Sequence, residues 1–146
     1  MVQIIIINGP NLNLLGVRQP EIYGTTSFES YFAQLEEIFP DFNLHHYQSN
    51  HEGDIIDKLQ QVGFSYDGII LNAGGFTHTS IAIADTLLAI TTPVVEVHLT
   101  NIYERESFRK TNYIKDTAIQ SIIGKGLEGY KEAIDFLAKT LKENKK

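Results

Sequence analysis

The stretch Gln3-Ile4-Ile5-Ile6-Ile7, followed by Asn8-Gly9-Pro10-Asn11, decides the fold. Four consecutive isoleucines leave no polar face. A strand open to water on one side alternates apolar and polar residues. An unbroken β-branched run instead predicts a strand covered on both faces, inside a parallel sheet. The run is far too short to cross a bilayer. No small-residue cleavage site follows it, so no targeting segment is expected.

Residues 8–24 contain Gly9, Pro10, Gly16, Pro20 and Gly24 and read as a long loop. Loops of that length in small domains are usually functional or disordered. Thr26-Ser27-Phe28-Glu29 has the form of a capping box with Thr26 as N-cap. The helix it opens carries Phe28, Tyr31, Phe32, Leu35 and Ile38 on one face, and Pro40 ends it. Residues 43–48 read as a second strand. Ile55, Ile56, Leu59 and Val62 mark a second helix that stops at Gly63.

Gly68-Ile69-Ile70-Leu71-Asn72 is a third strand, broken by Ala73-Gly74-Gly75. A third helix is expected over 80–90. Pro93 precedes a fourth strand, Val94 to His98. Asn101 and Glu104 suggest a short helix over 103–109, and a fifth strand falls near 118–123. Leu127, Tyr130, Ile134, Leu137 and Leu141 give the last helix its apolar spacing. Strands alternating with helices predict an α/β, flavodoxin-like, three-layer fold. Its five-stranded parallel sheet has the order 2-1-3-4-5, with helices on both faces. The whole chain, 1–146, fits one domain.

Composition narrows the function. A hydrophobic fraction of 42% with 21% charged residues argues for a packed core over disorder. The chain has no cysteine, which excludes disulfides, thiolate metal sites and cysteine nucleophiles, and fits a cytoplasmic setting. The net charge of −6 speaks against a nucleic-acid partner, since phosphate binding needs clustered Lys and Arg. Lys139, Lys142, Lys145 and Lys146 form a basic cluster, but Glu143 interrupts it and a solvated helix end explains it.

In such folds ligands bind beyond the carboxyl ends of the strands. Those ends are polar here: Asn8 to Asn11, Asn72 to Ser80, and Glu96 to Asn101. Ordinary turn chemistry would also place Asn and Gly there. Three polar ends on one rim favour a site. Glu96 and His98 are two apart in a strand and share a face. The carboxylate would favour the imidazolium and fix the ring, which suits a general acid; a purely structural Glu–His bond is the alternative.

Arg18 and Tyr23 share the first loop. An ordinary phenol is a poor base at neutral pH, and bringing it there from a pKa of about 10 takes roughly 4 kcal/mol. Two guanidinium groups in a partly dry site could supply much of that, with Arg109 as the second candidate. A surface arginine beside a packing tyrosine remains the alternative. His45, His46 and His51 have no metal-ligand spacing, because neighbouring strand residues face opposite ways. Gly74-Gly75 is not followed by the Lys of a phosphate loop. Gly124, Gly126 and Gly129 follow the fifth strand and read as a tight turn.

The chain resembles the type II 3-dehydroquinate dehydratase family in three long blocks. The first is Asn8-Gly9-Pro10-Asn11-Leu12-Asn13-Leu14-Leu15-Gly16 with Arg18, Pro20 and Tyr23-Gly24. The second is Leu71 to Ser80 with Asp85, and the third Glu96 to Asn101 with Arg105-Glu106 and Phe108-Arg109. Gly126 and Gly129-Tyr130 match the family's last turn. The resemblance implies reversible loss of water from 3-dehydroquinate to 3-dehydroshikimate, with no cofactor, no metal and no Schiff-base lysine. It implies a homododecamer built as a tetramer of trimers, with the small-molecule substrate as its only other partner and no role at a membrane.

Carried over by position, Tyr23 would be the base and Arg18 would hold it as phenolate. The reaction would pass through an enolate whose oxyanion is held partly by an ordered water, in which Asn11 would take part. His98 would protonate the leaving hydroxyl, with Glu96 orienting it. Asn72, His78, Asp85, Leu99, Thr100 and Arg109 would bind substrate.

Several residues depart from the commoner pattern. Thr100 replaces serine, Ala84 replaces arginine, and Thr111-Asn112 replaces a His-Ser pair. Lys115, Gln120-Ser121 and Lys125 also differ. None of these departures is expected to touch a catalytic position. A receiver domain would need an Asp where Asn72 stands. A flavin module would need a Ser/Thr-rich loop after the first strand. An inactive relative would not need to keep Arg18, Tyr23 and His98.

Overall fold

In the computed structural model, which describes residues 1–144, the isoleucine run lies inside a five-stranded sheet. The strands are β1 (Val2–Asn8), β2 (Phe42–Gln48), β3 (Gly68–Asn72), β4 (Val94–His98) and β5 (Gln120–Ile123). All neighbours are parallel and the order is β2-β1-β3-β4-β5, as the sequence predicts. The helices are α1 (Pro20–Tyr23), α2 (Phe28–Ile38), α3 (Glu52–Val62), α4 (Ile81–Ala89) and α5 (Glu128–Asn144).

The side chains of β1 divide between two cores. Ile4 and Ile6 pack with Leu35 of α2 and with Ile134 and Leu137 of α5. Ile5 and Ile7 pack with Ile55 and Leu59 of α3 and Ile83 of α4. Burying one such side chain contributes roughly 1.5–3 kcal/mol. The alternation of a strand therefore makes four successive apolar residues useful, two to each layer. Among the described residues no helix is long and apolar enough to cross a membrane. Lys139 and Lys142 lie on α5, while Lys145 and Lys146 lie outside the described residues.

Three local expectations need correction. The N-cap of α2 is Ser27, not Thr26: Ser27 Oγ accepts from Ser30 N at 3.2 Å. The Thr-x-x-Glu pattern is one residue out of step with the cap actually made, and Glu29 instead sits in the first turn. The helix expected over 103–109 is two 3₁₀ turns, Ile102–Glu104 and Ser107–Lys110. Asn101 caps the nearer amide of Tyr103, and Arg105 between the turns is extended. The fifth strand starts at Gln120, because Thr117 and Ala118 are still bonded back to Ile114 O.

Gly63 does stop α3, but in a right-handed conformation. It is needed for space, since a Cβ there would meet Ile90 Cγ2 at 2.4 Å. Gly9 has the same kind of reason. Its amide donates to Asn72 O at 2.7 Å, and a Cβ would lie 2.5 Å from Ala73 O. That contact is backbone on backbone and cannot be relieved by a rotamer. It brings the segments after β1 and β3 side by side at the rim. Gly9→Ala should therefore lower stability by about 1–3 kcal/mol, measured by urea unfolding.

Candidate active site

The carboxyl ends of β1, β3 and β4 open into one cleft of about 120 Å³. The loop after β1 brings Asn11, Arg18 and Tyr23 to it, and the end of β3 brings Asn72 and His78. The segment after β4 brings His98, Leu99, Thr100, Arg105 and Arg109. Glu96 stands behind His98 and is almost wholly buried. Of the site residues expected from the sequence, Asp85 alone is left out. It lies on the exposed side of α4, away from this cleft.

The loop has a fixed base and an open tip. Leu12 and Leu15 are buried in the core beside α2 and α5, around the 3₁₀ turn Leu12–Leu14. Val17 and Ile22 are exposed. Pro20 opens the one-turn helix α1, where a missing N–H does no harm. Asn11 and Gln19 are the only non-glycine residues with positive φ among those described, at 70° and 40°, and both lie here. Such backbone strain tends to collect at functional segments.

Tyr23 lies between two guanidinium groups. Arg18 sits over its ring at 4.8 Å and Arg105 at 5.7 Å, while Arg105 Nη1 donates to the phenol oxygen at 2.7 Å. The second arginine is thus Arg105, not Arg109. Arg109 is drawn aside by Glu106, to which its Nε donates at 2.6 Å. Sequence reading placed Arg105 in a family block without a role, and only the extended kink between the two 3₁₀ turns reveals its reach. Elsewhere, burial and the nearby Glu128 carboxylate push the Tyr31 phenol up to about 12. Burial likewise raises Tyr130, so neither is a candidate phenolate.

On the facing wall His98 Nε2 donates to Glu96 Oε2 at 2.7 Å. That leaves Nδ1 as the ring nitrogen without a protein partner among the described residues. Burial pushes the Glu96 carboxyl up, but the hydrogen bond and charge of His98 and the donors Ser121 and Asn112 outweigh it. The net result holds Glu96 below the ordinary carboxylate range. Asn112 Nδ2 lies 2.9 Å from Oε2 and Ser121 Oγ 2.7 Å from Oε1. Both residues are departures from the family pattern, so the expectation that the departures stay clear of the candidate catalytic residues is corrected at Glu96.

His78 Nδ1 lies 2.7 Å from Thr111 O. A carbonyl only accepts, so Nδ1 carries the proton and Nε2 is an acceptor. Burial, with the charges of His98 and Arg109, moves this imidazole below its ordinary value against the help of that carbonyl. His78 is accordingly neutral at neutral pH. Asn72 Nδ2 donates to Tyr130 Oη at 3.0 Å, Tyr130 donates to Asn8 Oδ1 at 2.8 Å, and Gly74 N donates to Asn72 Oδ1. Tyr130 thus fixes the amide of Asn72 from α5, a role that its apolar spacing concealed. His45 and His46 face opposite ways, against Tyr66 and against Phe28 and Phe32. Among the described residues no group of three or more His, Cys, Asp or Glu could hold a metal.

Fold and cleft together define a flavodoxin-like α/β protein whose strand ends open into a cleft lined by arginines, histidines and a tyrosine. The chain belongs to the class II dehydroquinase family, whose profile matches residues 2–138. It is 47% identical over 137 residues to a 3-dehydroquinate dehydratase of Prochlorococcus marinus, covering 92% of this chain and 93% of that one. It is 44% identical over 142 residues to a catabolic 3-dehydroquinase of Verticillium alfalfae, covering 96% and 95%. The crystal structure of the type II dehydroquinase from Butyrivibrio crossotus superimposes with a TM-score of 0.90 at 42% identity, over 94% of this chain and 97% of that one.

Glu96 also links the site to stability. Its folded pKa is lowered, so its contribution is fully present above the unfolded value, about 4.3. That contribution is lost as pH falls from there through the folded value. Glu96→Gln should cost about 1–3 kcal/mol at neutral pH. Its deficit relative to the unchanged chain should shrink below about pH 4.3, as read by urea unfolding at pH 7 and pH 3.5.

Proposed function

We propose that this chain is a type II dehydratase that eliminates water from 3-dehydroquinate, giving 3-dehydroshikimate, with Tyr23 as base and His98 as acid. The observation that carries the reading is the doubly cation-flanked Tyr23 facing a carboxylate-backed histidine across one cleft. Tyr23, with Arg18 over its ring and Arg105 on its phenol oxygen, removes the proton next to the ketone as phenolate. The electron pair moves into an enolate whose oxyanion is held by a water that Asn11 helps to order. Donors aimed at developing charge lower such a barrier.

His98, as imidazolium, then donates from Nδ1 to the leaving hydroxyl, which departs as water as the enolate collapses. Tyr23 ends with one proton more and His98 with one fewer, and solvent returns the balance. Asn72, neutral His78, Thr100 and the backbone beside Leu99 bind substrate hydroxyl and carboxylate groups, with Arg109 supplying a cation. No step needs a metal or an imine. Residues 1–146 act as one catalytic domain, and the cytoplasm suits a cysteine-free chain of this kind.

The chemistry can be followed as rising enone absorbance. Activity should persist in EDTA and in borohydride, and loss under either treatment would sink the mechanism. Tyr23→Phe should lower kcat by about 100-fold or more, the scale of general base catalysis, with KM little changed. A near-normal rate would remove Tyr23 as the base.

The dodecamer belongs to the same reading. Ile81 and Leu88 of α4 are 58% and 72% exposed and lie two turns apart. Apart from Asp85, the exposed side of α4 carries only apolar residues, and such a patch marks an interaction site. This face fits a contact between copies, with Asp85 at the boundary. Light scattering should give twelve times the chain mass. Leu88→Glu should reduce it, and an unchanged mass would remove α4 from the interface.

A further inference from the structure

Glu96 accepts hydrogen bonds from three separate places: His98 on its own strand, Ser121 on β5, and Asn112 between them. The family resemblance gives neither Asn112 nor Ser121 a role. We propose that Asn112 and Ser121 are positioning residues that lock Glu96 as an acceptor, and thereby hold His98 with Nε2–H on Glu96 and Nδ1 toward the substrate. The inference rests on the reading of His98 as the acid.

The orientation of Asn112 is not arbitrary. Its Oδ1 accepts from the amides of Ile114 and Lys115 at 2.8 and 3.1 Å. Nδ2 must therefore be the end that meets Glu96 Oε2, and its second hydrogen reaches Tyr103 Oη at 3.2 Å. Every donor and acceptor of the amide is then used. Oε2 faces two N–H donors, Asn112 and His98, and has no place for a proton.

Oε1 is the remaining place. Ser121 stands in register opposite Glu96 on β5, with its hydroxyl 2.7 Å away. A hydroxyl donating there makes both carboxylate oxygens acceptors. Burial alone would favour the neutral acid, and a neutral Glu96 would lose the charge that draws in the imidazolium. Its titratable neighbours are His98, His78 across the cleft, and Tyr103 behind Asn112. The residues paired with it on β3 and β5, Leu71 and Ser121, carry no charge.

Full-length variants separate positioning from packing. Ser121→Ala should lower kcat roughly tenfold, the scale of one hydrogen bond to a charged group, with KM within about twofold. The acid limb of kcat should move to higher pH. Ser121→Thr keeps the hydroxyl and should stay near the unchanged rate. Asn112→Asp keeps the acceptor for Ile114 and Lys115 but sets a second carboxylate against Glu96, and should lose more than Ser121→Ala.

One readout is independent of turnover. Ser121→Ala brings the folded pKa of Glu96 closer to its unfolded value, so the loss of stability between pH 7 and pH 3.5 should be smaller. If the unchanged chain fails to dehydrate 3-dehydroquinate, the functional reading falls, while this stability comparison still judges the lock. An unchanged kcat, acid limb and acid-linked stability loss in Ser121→Ala would overturn the inference. So would a Ser121→Thr variant as impaired as Ser121→Ala.

Discussion

The constraint on which the molecule depends is the burial of β1 on both faces. A strand in this position has no polar side to spend, so helices must cover both sides of the sheet. Parallel pairing with both β2 and β3 then follows, since each crossover needs a helix. The carboxyl ends of these strands consequently lie on one rim. The amide of Gly9 bonds to Asn72 O and the amide of Ser49 to Asn8 O, so the pairing continues past the strands into the loops. The site begins where the sheet's own hydrogen bonding stops.

Much of this is legible in the sequence because burial imposes period. β3 and β4 fall at the predicted residues, and α3 and α4 within a residue or a turn of theirs. Apolar spacing reports which side a residue faces, whatever it touches there. The caps at Ser27 and Asn101 depend on which of several hydroxyls or amides reaches an N–H first, and two neighbouring patterns compete within a single residue step. The short segment after β4 has no apolar period at all, and so its two turns were not distinguishable from one helix.

The site is less legible for a related reason. Glu96 and His98 meet because a strand brings i and i+2 together, which is a local rule. Arg105 and Tyr23 are 82 residues apart, Asn112 and Glu96 are 16, and Ser121 and Glu96 are 25. No periodicity encodes those meetings. They follow from β4 lying between β3 and β5, and from an arginine held extended between two tight turns. Asp85 marks the limit in the other direction: its place on α4 is clear, yet it is exposed and does not line the cleft.

The cleft is lined by Arg18, Arg105 and Arg109 and by no carboxylate, while Glu96 is buried behind His98. In the proposed mechanism Tyr23, with Arg18 over its ring and Arg105 on its phenol oxygen, takes the proton. In the same mechanism His98, hydrogen-bonded to the Glu96 carboxylate, gives one. The arrangement works only if the supporting charges stay ionised. The arginines do so intrinsically. A buried glutamate does not, and the donors around Glu96 are what make its charge as dependable as theirs.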